Sequence, residues 1–267
     1  MVEGVDLPEP TAPLLRLEDI AKSFGPVRAL RGVSLDIHAG EVHALIGENG
    51  AGKSTLMKVL SGAHQPDTGR VVRDGRPLVL SSPQAARQAG IAMIYQELTL
   101  APHLTVEENI TLGLERSRMG VLRSRADEVA AALELLGHHD IPPTRLAGAL
   151  TIARQQVVEI ARAIVSDARV VIMDEPTSSL TDEDKQALFR VIRKLRAEGI
   201  AVIYISHFLD EVEEIADRYT VLRDGASVAE GLVSETTTAD LVEKMIGRSL
   251  DAMYPSPGHG VGEPALV

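Results

Sequence analysis

Gly47-Glu48-Asn49-Gly50-Ala51-Gly52-Lys53-Ser54-Thr55 is the stretch whose residue types and spacing most plainly could do chemistry. It matches the pattern G-x-x-x-x-G-K-[ST] without departure. Glycines let a backbone turn tightly enough for successive N–H groups to face one concavity, where phosphate oxygens can sit. Lys53 is then placed for β- and γ-phosphates and the Ser54 hydroxyl for Mg²⁺. A second candidate group is Asp174-Glu175, two carboxylates at the mouth of the apolar run Arg169-Val-Val-Ile-Met173. Such a pair is costly unless it serves something positive. Asp174 suits Mg²⁺, commonly through water, and Glu175 suits polarising an attacking water.

Three further residues are open to two readings each. Gln96 follows the short apolar run Ile91 to Tyr95, so it is either a ligand-facing amide at a strand end or a surface amide. His207 follows Ile200 to Ile205 and either packs or bonds a γ-phosphate. Phe24, in an expected loop, either stacks on a base or packs near a turn. His138-His139-Asp140 has metal-ligating residue types, but adjacent residues without further spaced ligands read better as a solvated turn.

The elements that must position these residues follow from periodicity. Glu41 to Ile46 reads as a buried strand and Lys53 to Leu60 as a helix, so the loop delivers anions to a helix N-terminus. Leu15 to Ile20 and Ala29 to Ile37 alternate as strands do. Arg70 to Leu80 reads as a hairpin turning at Asp74-Gly75. From residue 97 to 167 the texture turns helical. Thr105 opens a capping box with Glu108, Ser124 can cap a helix over Arg125 to Leu136, and a third helical segment runs over Thr151 to Val165. Thr181 caps a helix ending at Glu198 before Gly199. Tyr219 to Arg223, turning at Asp224-Gly225, reads as a closing hairpin, and a last helix carries Leu241 to Ile246.

Bulk properties narrow the function. The chain has 267 residues, no cysteine and a formal net charge of −11. The acidic balance argues against a nucleic-acid partner, which needs a basic surface. Absence of cysteine excludes disulfides and Cys-based metal sites. No run reaches the ~18 apolar residues of a membrane span, so the chain is expected to be soluble and cytoplasmic, and any membrane role is borrowed from a partner.

Taken together, the order of motifs resembles the ATP-binding subunit of ABC transporters over about residues 14 to 247. Within that family it is most similar to the ATPases of bacterial ribose, galactose and xylose importers. The residues carrying this are Tyr95-Gln-Glu-Leu, Leu104-Thr-Val-Glu-Glu-Asn-Ile, Gln155-Gln156-Val-Val-Glu-Ile-Ala-Arg162, Asp174-Glu-Pro-Thr-Ser-Ser-Leu-Thr181 and Tyr204-Ile-Ser-His207. The resemblance implies an α/β P-loop ATPase core with a mostly parallel sheet, an antiparallel β subdomain and a helical subdomain. The core and β subdomain are expected over 14–96 and 168–247 and the helical part over 97–167, with a flexible leader at 1–13 and a linker-like tail at 248–267. It implies that Phe24 stacks on adenine, that Gln96 lies near Mg²⁺ and the membrane subunit, that Glu175 is the catalytic base and that His207 is the switch histidine. ATP and Mg²⁺ are the implied cofactors.

The resemblance also implies partners: membrane permease subunits, a solute-binding protein acting indirectly, and a second ATPase domain. The working position is the cytoplasmic face of the membrane, held peripherally, and sugar specificity belongs to the other subunits. The family signature, usually Leu-Ser-Gly-Gly-Gln, falls on Leu150-Thr151-Ile152-Ala153-Arg154 and departs from it. In the family this segment closes over the nucleotide of a head-to-tail partner, so the departure bears on the partner's site. The end of the chain suggests either a truncated first half of a fused two-domain protein or a single-domain relative that dimerises. A non-transport ABC ATPase acting on nucleic acid or ribosomes is the alternative, but the insertions or basic surfaces typical of those proteins are missing. A GTPase would want an Asn-Lys-x-Asp segment, which is also missing.

Overall fold

The computed structural model describes residues 12–114, 117–118, 121–122 and 124–247. The expected leader at 1–13 lies almost wholly outside the described residues, and the expected tail at 248–267 entirely so.

The first elements are β1 (Leu15–Phe24) and β2 (Val27–Ile37), paired antiparallel. Val33, Leu35 and Ile37 are buried at the period of two that one covered face requires. Phe24 ends β1 opposite Val27, across a two-residue turn, rather than lying in a free loop. The loop reading failed because Gly25-Pro26 breaks the chain without ending the pairing on either side. Next come β3 (Val42–Ile46), buried at every position, and α1 (Lys53–Leu60). β4 (Thr68–Arg73) and β5 (Arg76–Leu78) form the second hairpin. Its turn residues Asp74 and Gly75 both have positive φ, 48° and 73°, as a tight Asp-Gly turn demands.

α2 (Pro83–Gln88) and β6 (Ile91–Ile94) lead into the helical portion. There α3 (Val106–Thr111) starts at the full Thr105–Glu108 capping box. A two-residue-per-strand ribbon, β7 (Ser117–Arg118) with β8 (Val121–Leu122), interrupts a segment read as helical throughout. α4 (Ala126–Leu135) is capped at Arg125, without a side-chain bond, rather than at Ser124. The Ser124 hydroxyl instead donates to Glu107 at 2.7 Å and accepts from the Ala126 N–H at 3.2 Å. α5 (Ile152–Val165) follows, capped by Thr151. The last third holds β9 (Val170–Asp174), α6 (Asp182–Ala197), β10 (Ala201–Ile205), α7 (Leu209–Ile215), β11 (Arg218–Arg223), β12 (Ala226–Leu232) and α8 (Thr238–Ile246).

The strands make a four-stranded antiparallel sheet, β2-β1-β4-β5, and a six-stranded sheet, β12-β11-β3-β10-β9-β6. In the larger sheet β11, β3, β10, β9 and β6 run parallel and β12 antiparallel. Both its faces are covered, which is why β3, β9 and β10 read as continuous apolar runs. Val171, Met173, Val202 and Tyr204 pack toward the helices α3 to α6. Ile172, Ile203 and Ile205 pack the other way, with α1 and the antiparallel sheet. Among the described residues no helix is long and apolar enough to cross a membrane.

Candidate nucleotide site

Four neighbouring strands of the large sheet release their functional segments at one edge. β3 ends at Ile46 and passes into the glycine loop. β10 ends at Ile205, before Ser206-His207. β9 ends at Asp174, directly before Glu175, and β6 at Ile94, before Tyr95-Gln96. Parallel strands in register place all four carboxyl ends on the same side, the edge at which such sheets bind ligands. The result is a cavity of about 550 Å³ whose wall includes Lys53, Ser54, Gln96, Asp174 and Glu175. Residues far apart in the chain thus meet through strand order alone.

The loop keeps its shape through Lys53. This side chain is buried, and Nζ donates to the Gly47 carbonyl at 2.5 Å and the Glu48 carbonyl at 3.1 Å. Ala51 holds the loop's far side by accepting from the Gly225 N–H at 3.0 Å. Asn49, Gly50, Gly52 and Thr55 line the cavity, while Gly47, Glu48 and Ala51 support it from behind. Gly52, at φ 107°, stands where a Cβ would lie 2.8 Å from the Ala29 carbonyl oxygen and 2.9 Å from Leu30 Cδ2. Gly50, at φ 85°, has open space around it. Gly52→Ala should therefore lower stability by roughly 2–3 kcal/mol, and Gly50→Ala by about 1 kcal/mol, for backbone strain alone. Thermal unfolding of the two variants checks this ranking, and equal Tm values would contradict it.

The charges in the cavity shift one another. Burial lowers the Lys53 pKa, opposed by Glu175 and Asp174. Burial first, then Glu175, raises that of Asp174, opposed by Lys53. A polyanion with a divalent cation would relieve both strains, since one favours the charged amine and the other the charged carboxylate. Glu175 is the most constrained of the set. Its φ is 44°, in the left-handed region a non-glycine residue seldom enters, and its N–H donates to the Ile205 carbonyl at 3.0 Å. Its Oε1 lies 3.0 Å from His207 Nδ1. His207 therefore meets the site through Glu175, with its ring also against Phe208 at 4.0 Å between centroids.

Phe24 stands apart from the cavity wall. Its ring meets His64 edge-on, 5.2 Å between centroids, with Lys22 Nζ 5.7 Å from the ring centre. The nearby wall is instead made by Val27, Arg28, Ala29 and Arg31 of β2, with Asp224 and Gly225 from the turn after β11. Periodicity marked Ala29 and Arg31 only as strand residues and Asp224-Gly225 only as a turn, and it left Val27 and Arg28 outside any element; the two exposed arginines were the available signal.

The signature segment is not on the cavity wall either. Leu150 is buried, Thr151 caps α5 by accepting from the Arg154 N–H at 3.4 Å, and Ile152 is 48% exposed at the first turn. Ala153 is half-buried behind it. Arg154 is paired with Asp140, which accounts for one member of the His138-His139-Asp140 run. α5 also reaches the segments that follow Glu175 and Gln96. Gln156 Nε2 donates to the Pro176 carbonyl at 2.6 Å, and Glu159 Oε1 accepts from the Thr99 N–H at 2.6 Å and the Thr99 hydroxyl at 2.7 Å. A second cavity, of about 420 Å³, lies beside it and is lined by Tyr95, Leu112, Glu159 and Arg162 among others.

The family model described as ABC transporter matches residues 30–178. A ribose import ATP-binding protein of Streptomyces avermitilis is 52% identical over 258 residues, covering 96% of this chain and 51% of that protein. One from Rubrobacter xylanophilus is 49% identical over 256 residues, covering 95% and 52%. The chain thus spans about half the length of the curated relatives it matches. Among solved structures, the ADP conformation of an ATP-binding cassette of an ABC transporter superposes with TM-score 0.78 at 29% identity, covering 89% of this chain and all of that one. A nucleotide-free cassette gives TM-score 0.73 at 28% identity, covering 88% and 95%.

Proposed function

The chain belongs to the ABC transporter family, and from that premise we propose that it binds and hydrolyses ATP to drive import of a sugar through membrane subunits. The observation that carries this is the meeting of Lys53, Ser54, Gln96, Asp174 and Glu175 around one cavity, with His207 bonded to Glu175. The named relatives, ribose import ATP-binding proteins, support the sugar class. The triphosphate lies in the glycine loop, where backbone N–H groups, the α1 N-terminus and Lys53 take its charge. Ser54, Asp174 and Gln96 are oxygen donors of the hard kind that suits Mg²⁺, which would neutralise charge developing on the phosphates. Among the described residues no group of three His, Cys, Asp or Glu is placed to hold a metal ion.

Hydrolysis then needs one proton moved. Glu175 takes it from a water as that water's oxygen bonds to the γ-phosphorus and the bond to the ADP oxygen breaks. His207, bonded to Glu175, holds the carboxylate in its constrained place. Phe24, at the end of the β1–β2 hairpin, is the aromatic for adenine once a base occupies the outer wall. Leu150 to Arg154 serve a second ATPase domain, a fused half or another copy, whose nucleotide they cover. The exposed end of α5 offers Thr151 and the helix N-terminus to that anion, while Ile152 adds bulk where the family has glycine. The cavity beside Tyr95 and Leu112 receives a permease helix at the cytoplasmic face of the membrane.

Reconstitution tests the whole reading. ATP turnover by the chain alone should be slow and should rise several-fold with its permease in proteoliposomes, and sugar uptake should stop when the chain is omitted. Uptake that continues without it, or turnover of GTP alone, rejects the function.

A further inference from the structure

Glu211 of α7 is 3% exposed, and a single one of its oxygens gathers three hydroxyls. Oε2 accepts from the Tyr204 hydroxyl at 2.7 Å, the Thr177 hydroxyl at 2.9 Å and the Ser206 hydroxyl at 3.0 Å. Lys185 Nζ of α6 lies 3.6 Å from the other oxygen, Oε1. A buried carboxylate costs several kcal/mol, roughly, unless it is paired and bonded, and an apolar side chain would fill the same space more cheaply. The placement of the donors gives a reason for keeping the charge.

Thr177 lies two residues beyond Glu175, and Ser206 immediately precedes His207. Tyr204 is in register with Met173 on the strand that delivers Asp174 and Glu175. The Ser206 hydroxyl also accepts from the Phe208 N–H at 3.0 Å, so the backbone is tied on both sides of His207. Burial, and then the Glu211 charge, keep the Tyr204 phenol well above its usual pKa, so it stays a donor. One carboxylate therefore fastens the segment after Glu175 to the segment before His207. Both segments leave adjacent strands, and nothing in strand pairing alone sets the 3.0 Å between His207 Nδ1 and Glu175 Oε1.

We propose that Glu211 is a positioning residue of the hydrolytic centre, clamping the two loops so that His207 and Glu175 meet. The proposal rests on the reading of Glu175 as the base. Charge-assisted bonds are about twice as strong as neutral ones, so the isosteric amide loosens the clamp without emptying the space.

The test measures kcat and the KM for ATP in steady-state hydrolysis by the full chain. Glu211→Gln should lower kcat about 10- to 100-fold, the effect of a misplacement near 1 Å, with the KM for ATP within about two-fold of wild type. In the Glu175→Gln background the same change should cost nothing further, because the group it positions is already gone. Should Glu211→Gln fail to fold, Ser206→Ala removes that hydroxyl's bond to Glu211 together with its bond from the Phe208 N–H, and should show the same split, with Tyr204→Phe showing less. An unchanged kcat, a rise in KM equal to the fall in kcat, or an equal loss in the Glu175→Gln background overturns the clamp. Full turnover by Glu175→Gln alone overturns the base reading and the clamp with it, so the two failures are told apart.

Discussion

Glu175→Gln should slow ATP hydrolysis by about 100- to 10,000-fold, the range expected when a general base is lost, while ATP binding stays within about two-fold of wild type. The amide has nearly the shape of the carboxylate and can still meet His207 Nδ1. It cannot take a proton from water near neutral pH. The backbone at φ 44° should persist, because the N–H bond to the Ile205 carbonyl does not involve the side chain. Rate and affinity should therefore separate cleanly. Measuring single-turnover hydrolysis beside equilibrium binding of a fluorescent ATP analogue decides the matter. Turnover at the wild-type rate would show that another group activates the water.

Lys53→Ala should weaken ATP binding about 10- to 100-fold, which is what charge-assisted hydrogen bonds of ~1.5–3 kcal/mol amount to. Two effects add. The triphosphate loses its nearest cation, and the Gly47 and Glu48 carbonyls lose the donor that braces the loop. Lys53→Arg helps to separate them: it keeps the charge in a shape the buried position does not fit, so it should bind ATP better than the alanine variant and worse than wild type. Titration calorimetry reads all three. Wild-type affinity in Lys53→Ala would refute the phosphate-loop assignment.

What the sequence disclosed was mostly local. The helix over Lys53 to Leu60, the Asp74-Gly75 turn and the caps at Thr105 and Thr181 each depend on a few adjacent side chains, and each is present. The short helices α2 and α7 were missed because six or seven residues give too little periodicity to separate a helix from a loop. Phe24 was misplaced for a related reason, since only pairing with β2 shows that β1 extends to it. The motif residues of the site could be listed from the chain, but not what joins them. Gln156 and Glu159 sit on an apolar-patterned helix and carry buried polar atoms, and their partners Pro176 and Thr99 are distant in sequence. Glu211 carries no local signal, since its partners Thr177, Tyr204 and Ser206 gather only when β10 and the turn after β9 come together. Local signals announce elements; the contacts that align a site are long-range and leave no spacing to read.

α5 has 14 residues, so it is about 21 Å long at the ordinary helical rise of ~1.5 Å per residue. It is fastened on one side to the loop after Gln96 and on another to the turn after Glu175. Tilting the helix without those loops would strand the Gln156 amide and the Glu159 carboxylate, both buried, at a cost of roughly 1–3 kcal/mol each. Sliding all three together costs far less. A shift of α5 that keeps these bonds therefore carries the loop after Gln96 and the turn after Glu175 with it.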